Sequence, residues 1–246
     1  MSKFLLAVAL LVASLAAQAE VTLPYVGKTD LSANVTGTTD YRFRGISQTQ
    51  NSVALQGGVD VTTESGFYIG NWNSSVSSQV YTNGSGIEND IYGGWKKDIY
   101  KGVVVDVGSY NYFYPRTGYS FDTYELYAAV SYGPVTARYN YALNEYFGAS
   151  NSDGSQYYQV DVNYALPAYS KVAVVGHIGR TEVVAHDKSD YTDWNVGATY
   201  DLSHGWNAGA RYYWNTGVSA LGQAANTVNG QNLTKDQLVV SITKVF

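Results

Sequence analysis

Asp40, Arg42 and Arg44 stand two residues apart, with Tyr41 and Phe43 between them. In a strand, a spacing of two puts side chains on one face, so three charges share one face and two aromatic rings the other. The arrangement recurs. Glu88 and Asp90 flank Asn89, Glu125 lies between Tyr124 and Leu126, Arg138 between Ala137 and Tyr139, and Arg211 between Ala210 and Tyr212. Charges of both signs along one face of several strands can form an ion-pair network. They can also line a watery passage that selects solutes by sign and width. The second chemistry makes Asp40, Arg42, Arg44, Glu88, Asp90, Glu125, Arg138 and Arg211 the candidate lining residues. Asp40 and Arg42 are expected to reach Glu88 and Asp90 across the bore.

Nucleophilic or metal chemistry has less to build on. The three histidines, His177, His186 and His204, are scattered, and the chain has no cysteine. No G-x-S-x-G or H-E-x-x-H run is present, so neither a nucleophile elbow nor a zincin helix is signalled. Without Cys or a close His pair, no metal and no cofactor are called for. A hydrolase stays as an alternative that would need a base and a nucleophile brought together in space.

The elements that must position these charges are strands. From Leu31, the odd positions are Leu, Ala, Val, Gly, Thr, Tyr, Phe and the even ones Ser, Asn, Thr, Thr, Asp, Arg, Arg. Alternation of this kind predicts strands near 31–44, 52–62, 66–76, 87–97, 102–114, 121–132, 135–146, 156–166, 170–180, 191–202, 205–215 and 236–246. Clear apolar rows are Val53/Leu55/Val59/Val61, Tyr124/Leu126/Ala128/Val130/Tyr132, Tyr158/Val160/Val162/Tyr164 and Trp194/Val196/Ala198/Tyr200/Leu202. The rows of 66–76 and 102–114 are ambiguous, because both faces carry aromatics or Val. Tight connections such as Gly133-Pro134 and Ser203-His204-Gly205 alternate with long polar ones. That rhythm belongs to an all-β, transmembrane, antiparallel up-and-down barrel of twelve strands, with turns inside and loops outside.

The chain ends support the same reading. Lys3, the apolar run 4–16 and Ala17-Gln18-Ala19 form a secretory signal peptide over 1–19, leaving 20–246 as the barrel domain. Its apolar run is too short for the ~20 residues of a spanning helix. Leu238, Val240 and Ile242 alternate toward a terminal Phe246. This ending resembles the signal read by the barrel assembly machinery of the outer membrane, with Lys244 interrupting the row. Partners are therefore outer-membrane lipids, periplasmic chaperones and the assembly machinery, and small polar solutes. Mean hydropathy is −0.19, as expected where lipid-facing and lumen-facing residues average out. A formal charge of −5 excludes nucleic acid, which needs a basic footprint. Aromatics near strand ends (Tyr41, Phe43, Trp72, Trp95, Tyr132, Tyr164, Trp194, Trp206, Trp214, Phe246) are read as interfacial girdles.

The segments TTDYRFRGISQTQ (38–50), GFYIGNWNSSV (66–76), IENDIYGGW (87–95), DVGSYNYFYP (106–115), TYELYAAVSYGPVTARYNYA (123–142) and SITKVF (241–246) resemble the TorF family of proteobacterial outer-membrane porins. The resemblance spans nearly all of 20–246. It implies a barrel with pore activity and brings no catalytic residues. The loop 216–235 departs from it. The expected function is passive diffusion of small polar solutes through a charged lumen in the bacterial outer membrane. The acidic surplus hints at cations or neutral solutes. The alternatives are a plugged structural or adhesive barrel and an outer-membrane hydrolase.

Overall fold

Alternating apolar and polar residues can bury their backbone groups in lipid only by closing a sheet on itself, and this chain does so. The computed structural model describes residues 21–23, 27–81, 84–117, 121–219 and 226–246; the signal-peptide segment 1–19 lies outside them. In chain order the strands are β1 (Val21–Leu23), β2 (Gly27–Thr38), β3 (Arg42–Phe43), β4 (Ile46–Ser47), β5 (Ala54–Thr63), β6 (Phe67–Ser75), β7 (Ile87–Tyr100) and β8 (Val103–Phe113). They continue as β9 (Thr123–Tyr132), β10 (Val135–Ala142), β11 (Gln156–Ala165), β12 (Val172–Glu182), β13 (Tyr191–Ser203), β14 (Trp206–Thr216), β15 (Thr227–Val228), β16 (Gln231–Asn232) and β17 (Gln237–Val245). Twelve of them form a closed antiparallel barrel. The remainder are the short β1, paired to β2, and two small hairpins, β3–β4 and β15–β16. The seam is β17 against β2, with Ser241 opposite Thr38 and Val245 opposite Asn34. β2 then pairs with β5. Among the described residues no helix is long and apolar enough to cross a membrane; crossing falls to the strands.

The barrel is polar inside. Glu125 is 1% exposed, while its neighbour Leu126 is 49% exposed. Val130, Val160, Ile178, Val196, Val240 and Ile242 are likewise exposed on the outer wall. A sequence whose greasy side chains face outward over most of the wall is built for hydrocarbon surroundings. Trp95, Tyr132, Tyr164 and Trp206 mark the end with tight turns. Lys244 does sit on the outer row, with its ammonium 6.0 Å from the Trp206 ring centre and 5.1 Å from that of Phe246.

The structure corrects two expectations. The first barrel strand does not run to 44: it stops at Thr38, whose hydroxyl donates to the Asp40 carbonyl at 2.9 Å. Tyr41, Phe43 and Trp72 are not girdle residues. Tyr41 is buried with Trp72 against it, ring centres 5.3 Å apart, inside the barrel. The ambiguous strands are also resolved: Phe67 and Ile69 of β6 and Val103, Val105 and Val107 of β8 share the outer face with Trp95 and Val130.

Candidate functional site: an inserted loop and the bore beside it

Residues 39–53, the connection from β2 to β5, fold into the barrel instead of over it. Asp40 anchors the turn. Its carboxylate accepts from Ser47 Oγ at 2.6 Å, Thr49 Oγ1 at 3.0 Å and Arg42 Nε at 2.6 Å. The hairpin β3–β4 then projects inward, and its tip turns at Arg44 (φ 47°) and Gly45 (φ 77°). Two successive left-handed residues make the tight turn that hairpin twist favours. Gly45 is needed for a second reason, because a Cβ there would lie 2.6 Å from Asp193 Cβ on the far wall.

The tip is bonded to strands across the bore. Arg44 Nη1 and Nη2 donate to Glu125 Oε1 and Oε2 of β9 at 2.8 and 2.6 Å. Tyr191 of β13 donates to the Arg44 carbonyl at 2.8 Å, and Asn215 of β14 to the Gly45 carbonyl at 3.1 Å. Arg42 adds bonds to the carbonyls of Leu233 and Lys235, each at 3.0 Å. Burial works against the charge on Arg44, but Glu125 together with Tyr146 and Tyr112 more than offsets it, and the guanidinium is held above its ordinary pKa. Burial, with Glu88 next to it, likewise pushes the Tyr41 hydroxyl up, so it stays a proton donor.

Around the loop, one side of the outer half of the bore is a packed aromatic core. Phe43 meets Tyr112 and Phe147 edge-on, both at 5.3 Å, and Tyr81 stacks on Tyr114 at 4.1 Å. The inner half differs. Ser32, Thr62, Lys96, Asn163 and Asp201 point inward there and are exposed, so that half is an open vestibule.

Most carboxylates in the bore are capped, chiefly by tyrosine hydroxyls. Tyr41 donates to Glu88 at 2.7 Å, Tyr110 to Asp90 at 3.2 Å and Tyr92 to Asp60 at 2.5 Å. Tyr68 and Tyr127 donate to Asp106 at 2.7 and 3.1 Å, and Tyr112 joins Arg44 on Glu125 at 3.3 Å. His177 sits between two more: Nδ1 lies 2.6 Å from Asp161 and Nε2 3.0 Å from Asp193, with Tyr157 also donating to Asp193 at 2.9 Å. This cluster fixes the imidazole between two acids and a phenol, without a serine hydroxyl among its partners.

Tyr157 lies along the inner wall, over Gly179 of the neighbouring strand β12. A Cβ on Gly179 would overlap the Tyr157 hydroxyl and lie 2.8 Å from its Cε2. Gly179→Ala is therefore expected to push Tyr157 off Asp193 and cost about 1–3 kcal/mol of stability, the usual range for overpacking. A urea titration of the refolded barrel checks it; an unchanged midpoint would mean that the ring shifts freely.

Between the loop and the wall of β10–β14 lies a cavity of about 290 Å³. Arg138, Asn140, Gln159, His177, Asn195 and Arg211 line it, with Arg42–Gly45 on the loop side. Arg138 donates to Asn140 at 2.8 Å and lies 3.7 Å above the Tyr127 ring, and Arg211 reaches Asn195 at 3.5 Å. Among the described residues neither arginine forms an ion pair, in contrast to Arg42 with Asp40 and Arg44 with Glu125.

All eight residues singled out from the sequence point into the barrel, but their grouping differs from the expected one. Arg42 pairs with Asp40 in its own loop and not with Glu88 or Asp90, which lie sealed beneath the aromatic core. Arg44 and Glu125 form the cross-bore pair. The tyrosine caps and the Asp161–His177–Asp193 cluster were missed as groups. Their only sequence signal is that Tyr110, Tyr112, Tyr157 and His177 fall in the inward phase of their strands.

A family model described as a bacterial protein of unknown function, Gcw_chp, matches residues 23–246. No curated protein matches the chain in sequence. Among solved structures, the KdgM porin in complex with disordered oligogalacturonate superposes with a TM-score of 0.57 at 8% identity, covering 87% of this chain and 99% of that one. The NanC porin gives 0.59 at 12% identity, covering 87% and 98%. At such identity the likeness is one of fold: a small porin-type barrel over 87% of this chain.

Proposed function

We propose, from the premise that this chain belongs to the Gcw_chp family of bacterial proteins of unknown function, that it is an outer-membrane channel. Small polar solutes pass it by diffusion, and its narrow level favours anions. The observation that carries this reading is the imbalance in the bore. Beside the cavity Glu125, Asp161 and Asp193 are engaged by arginine, histidine or tyrosine donors, while Arg138 and Arg211, bonded to Asn140 and Asn195, form no ion pair among the described residues. A passing solute meets the donors that are still open, so the acidic surplus of the composition does not set the preference. The KdgM porin was solved with oligogalacturonate, a chain of sugar carboxylates, and open guanidinium donors suit that charge class. Export through the signal peptide 1–19 and assembly through Phe246 go with this location, as does the likeness of 38–50 and 123–142 to TorF-type porins.

The test is the reversal potential of the purified protein in a planar bilayer under a salt gradient. The wild-type channel is expected to be anion-preferring. Arg138→Gln with Arg211→Gln should move the reversal potential toward cation preference, because the pair is the local positive charge at the constriction. A reversal potential that does not move removes the two arginines from the path. One observation favours a second reading: the inserted loop and aromatic core fill much of the outer half. A plugged structural barrel predicts no conductance and no liposome swelling with any solute.

A further inference from the structure

The outer wall is not uniformly greasy. From the middle of β6 outward its lipid-side residues are Asn71, Asn73 and Ser75; Asn89 follows on β7, and Ser109 and Asn111 on β8. Register places them on one face: Asn73 is opposite Asn89, and Asn71 opposite Ile91, which is opposite Asn111. The asparagines form a ladder. Asn73 donates to Asn71 at 2.6 Å, Asn89 to Asn73 at 2.5 Å, Asn71 to the Asp90 carbonyl at 2.8 Å and Asn111 to the Ile91 carbonyl at 3.0 Å. Each carboxamide has two N–H groups and an oxygen with two lone pairs, so hydrogen-bonding capacity is left pointing outward. Elsewhere the wall away from the strand ends is Val130, Val162, Ile178 and Val196. Acyl chains offer no partner for an amide.

We infer that the β6–β8 wall is a contact surface between copies of this chain within the membrane. The inference rests on the membrane placement proposed above. A carboxamide both donates and accepts, so this patch can satisfy itself against its own image in a symmetric pair. Gly57 and Gly93 lie on the same face and keep it flat enough for close approach. A lipid headgroup is the poorer occupant: residues 65–87 contain no charged side chain, and Arg116, past the outer end of β8, is a single cation with no basic neighbour in sequence to share a phosphate.

The chain's lack of cysteine makes the test clean. Asn73→Cys and, on the opposite wall, Val162→Cys are each treated in detergent and in vesicles with a short bifunctional maleimide, and parallel samples with a lipid-soluble monofunctional one. A cross-linked dimer at 73 but not at 162, lost when Asn71→Leu and Asn89→Leu are added, is the expected result. Monomer at both positions, or equal cross-linking at both, overturns the interface, whether the thiol introduced at position 73 is open to lipid or shielded by something else. If neither introduced thiol reacts with the lipid-soluble probe in vesicles and neither cross-links, the membrane placement itself fails, a distinct outcome. Refolding yield of the leucine variants, read by heat-modifiable gel mobility, confirms that lost cross-linking is not lost folding.

Discussion

Glu125→Gln is expected to release the inserted loop and raise single-channel conductance. The Arg44–Glu125 pair is two-pronged, with side chains 5% and 1% exposed. Removing one partner of a buried pair strands the other charge, at a cost of about 3–5 kcal/mol. Tyr191 to the Arg44 carbonyl and Asn215 to the Gly45 carbonyl are neutral bonds worth about 1 kcal/mol each; Arg44 also donates to the Tyr146 hydroxyl at 2.8 Å, and Arg42 to the Gly45 carbonyl at 3.1 Å. None of these supplies the negative charge that the buried guanidinium loses. The cheapest relaxation is for residues 43–46 to swing out toward the vestibule or the cavity, where Arg44 regains water. The base of the loop, tied by Asp40 to Arg42, Ser47 and Thr49, stays folded. Faster hydrogen exchange confined to 43–46, with larger current steps, is the signature. The double variant Arg44→Ala with Glu125→Ala should recover part of the lost stability while keeping the larger current, since no charge is stranded. Lower stability with unchanged current would reduce the pair to a brace that does not occlude the path.

Much of this molecule was legible because a two-residue period leaves little freedom. Once Leu126, Val130 and Val196 face lipid, Glu125, Arg138 and Arg211 face the bore, and the strand number follows from counting periods between turns. The inserted loop was not legible for the same reason. Asp40, Tyr41, Arg42, Phe43 and Arg44 continue the phase of β2 so well that nothing in the pattern marks Thr38 as the end. The break is made by long-range bonds: Arg42 to Leu233, Arg44 to Glu125, Tyr191 to Arg44. Only Gly45, a residue free to take a positive φ, signals a turn nearby. The second blind spot is aromatic. A ring near a strand end reads as an interfacial girdle, yet Tyr41, Phe43 and Trp72 pack inside the bore beside Tyr92, Tyr110 and Tyr112. The tyrosine hydroxyls then absorb the carboxylates, which is why the acidic surplus pointed toward cations while the half-buried Arg138 and Arg211 carry the anion preference proposed above.

Whether the apolar wall truly meets hydrocarbon is decided by placing one charge on either side of it. Val196 is 49% exposed near the centre of β13, between Gly176 of β12 and Tyr212 of β14. Arginine there is expected to cost about 2–4 kcal/mol, the depth-dependent penalty for a basic residue near the bilayer midplane. Asn163 of β11 faces inward and is exposed to the vestibule. The same substitution there buries nothing and should stay within about 0.5 kcal/mol, as for other solvated surface sites. Reversible urea unfolding from vesicles, followed by tryptophan fluorescence, gives both numbers on one scale. Equal costs at 196 and 163 would place water on both faces. A cost at 163 alone would turn the barrel inside out. The expected asymmetry leaves only hydrocarbon outside Val196 and water beside Asn163, the condition under which Arg138 and Arg211 can act on a solute at all.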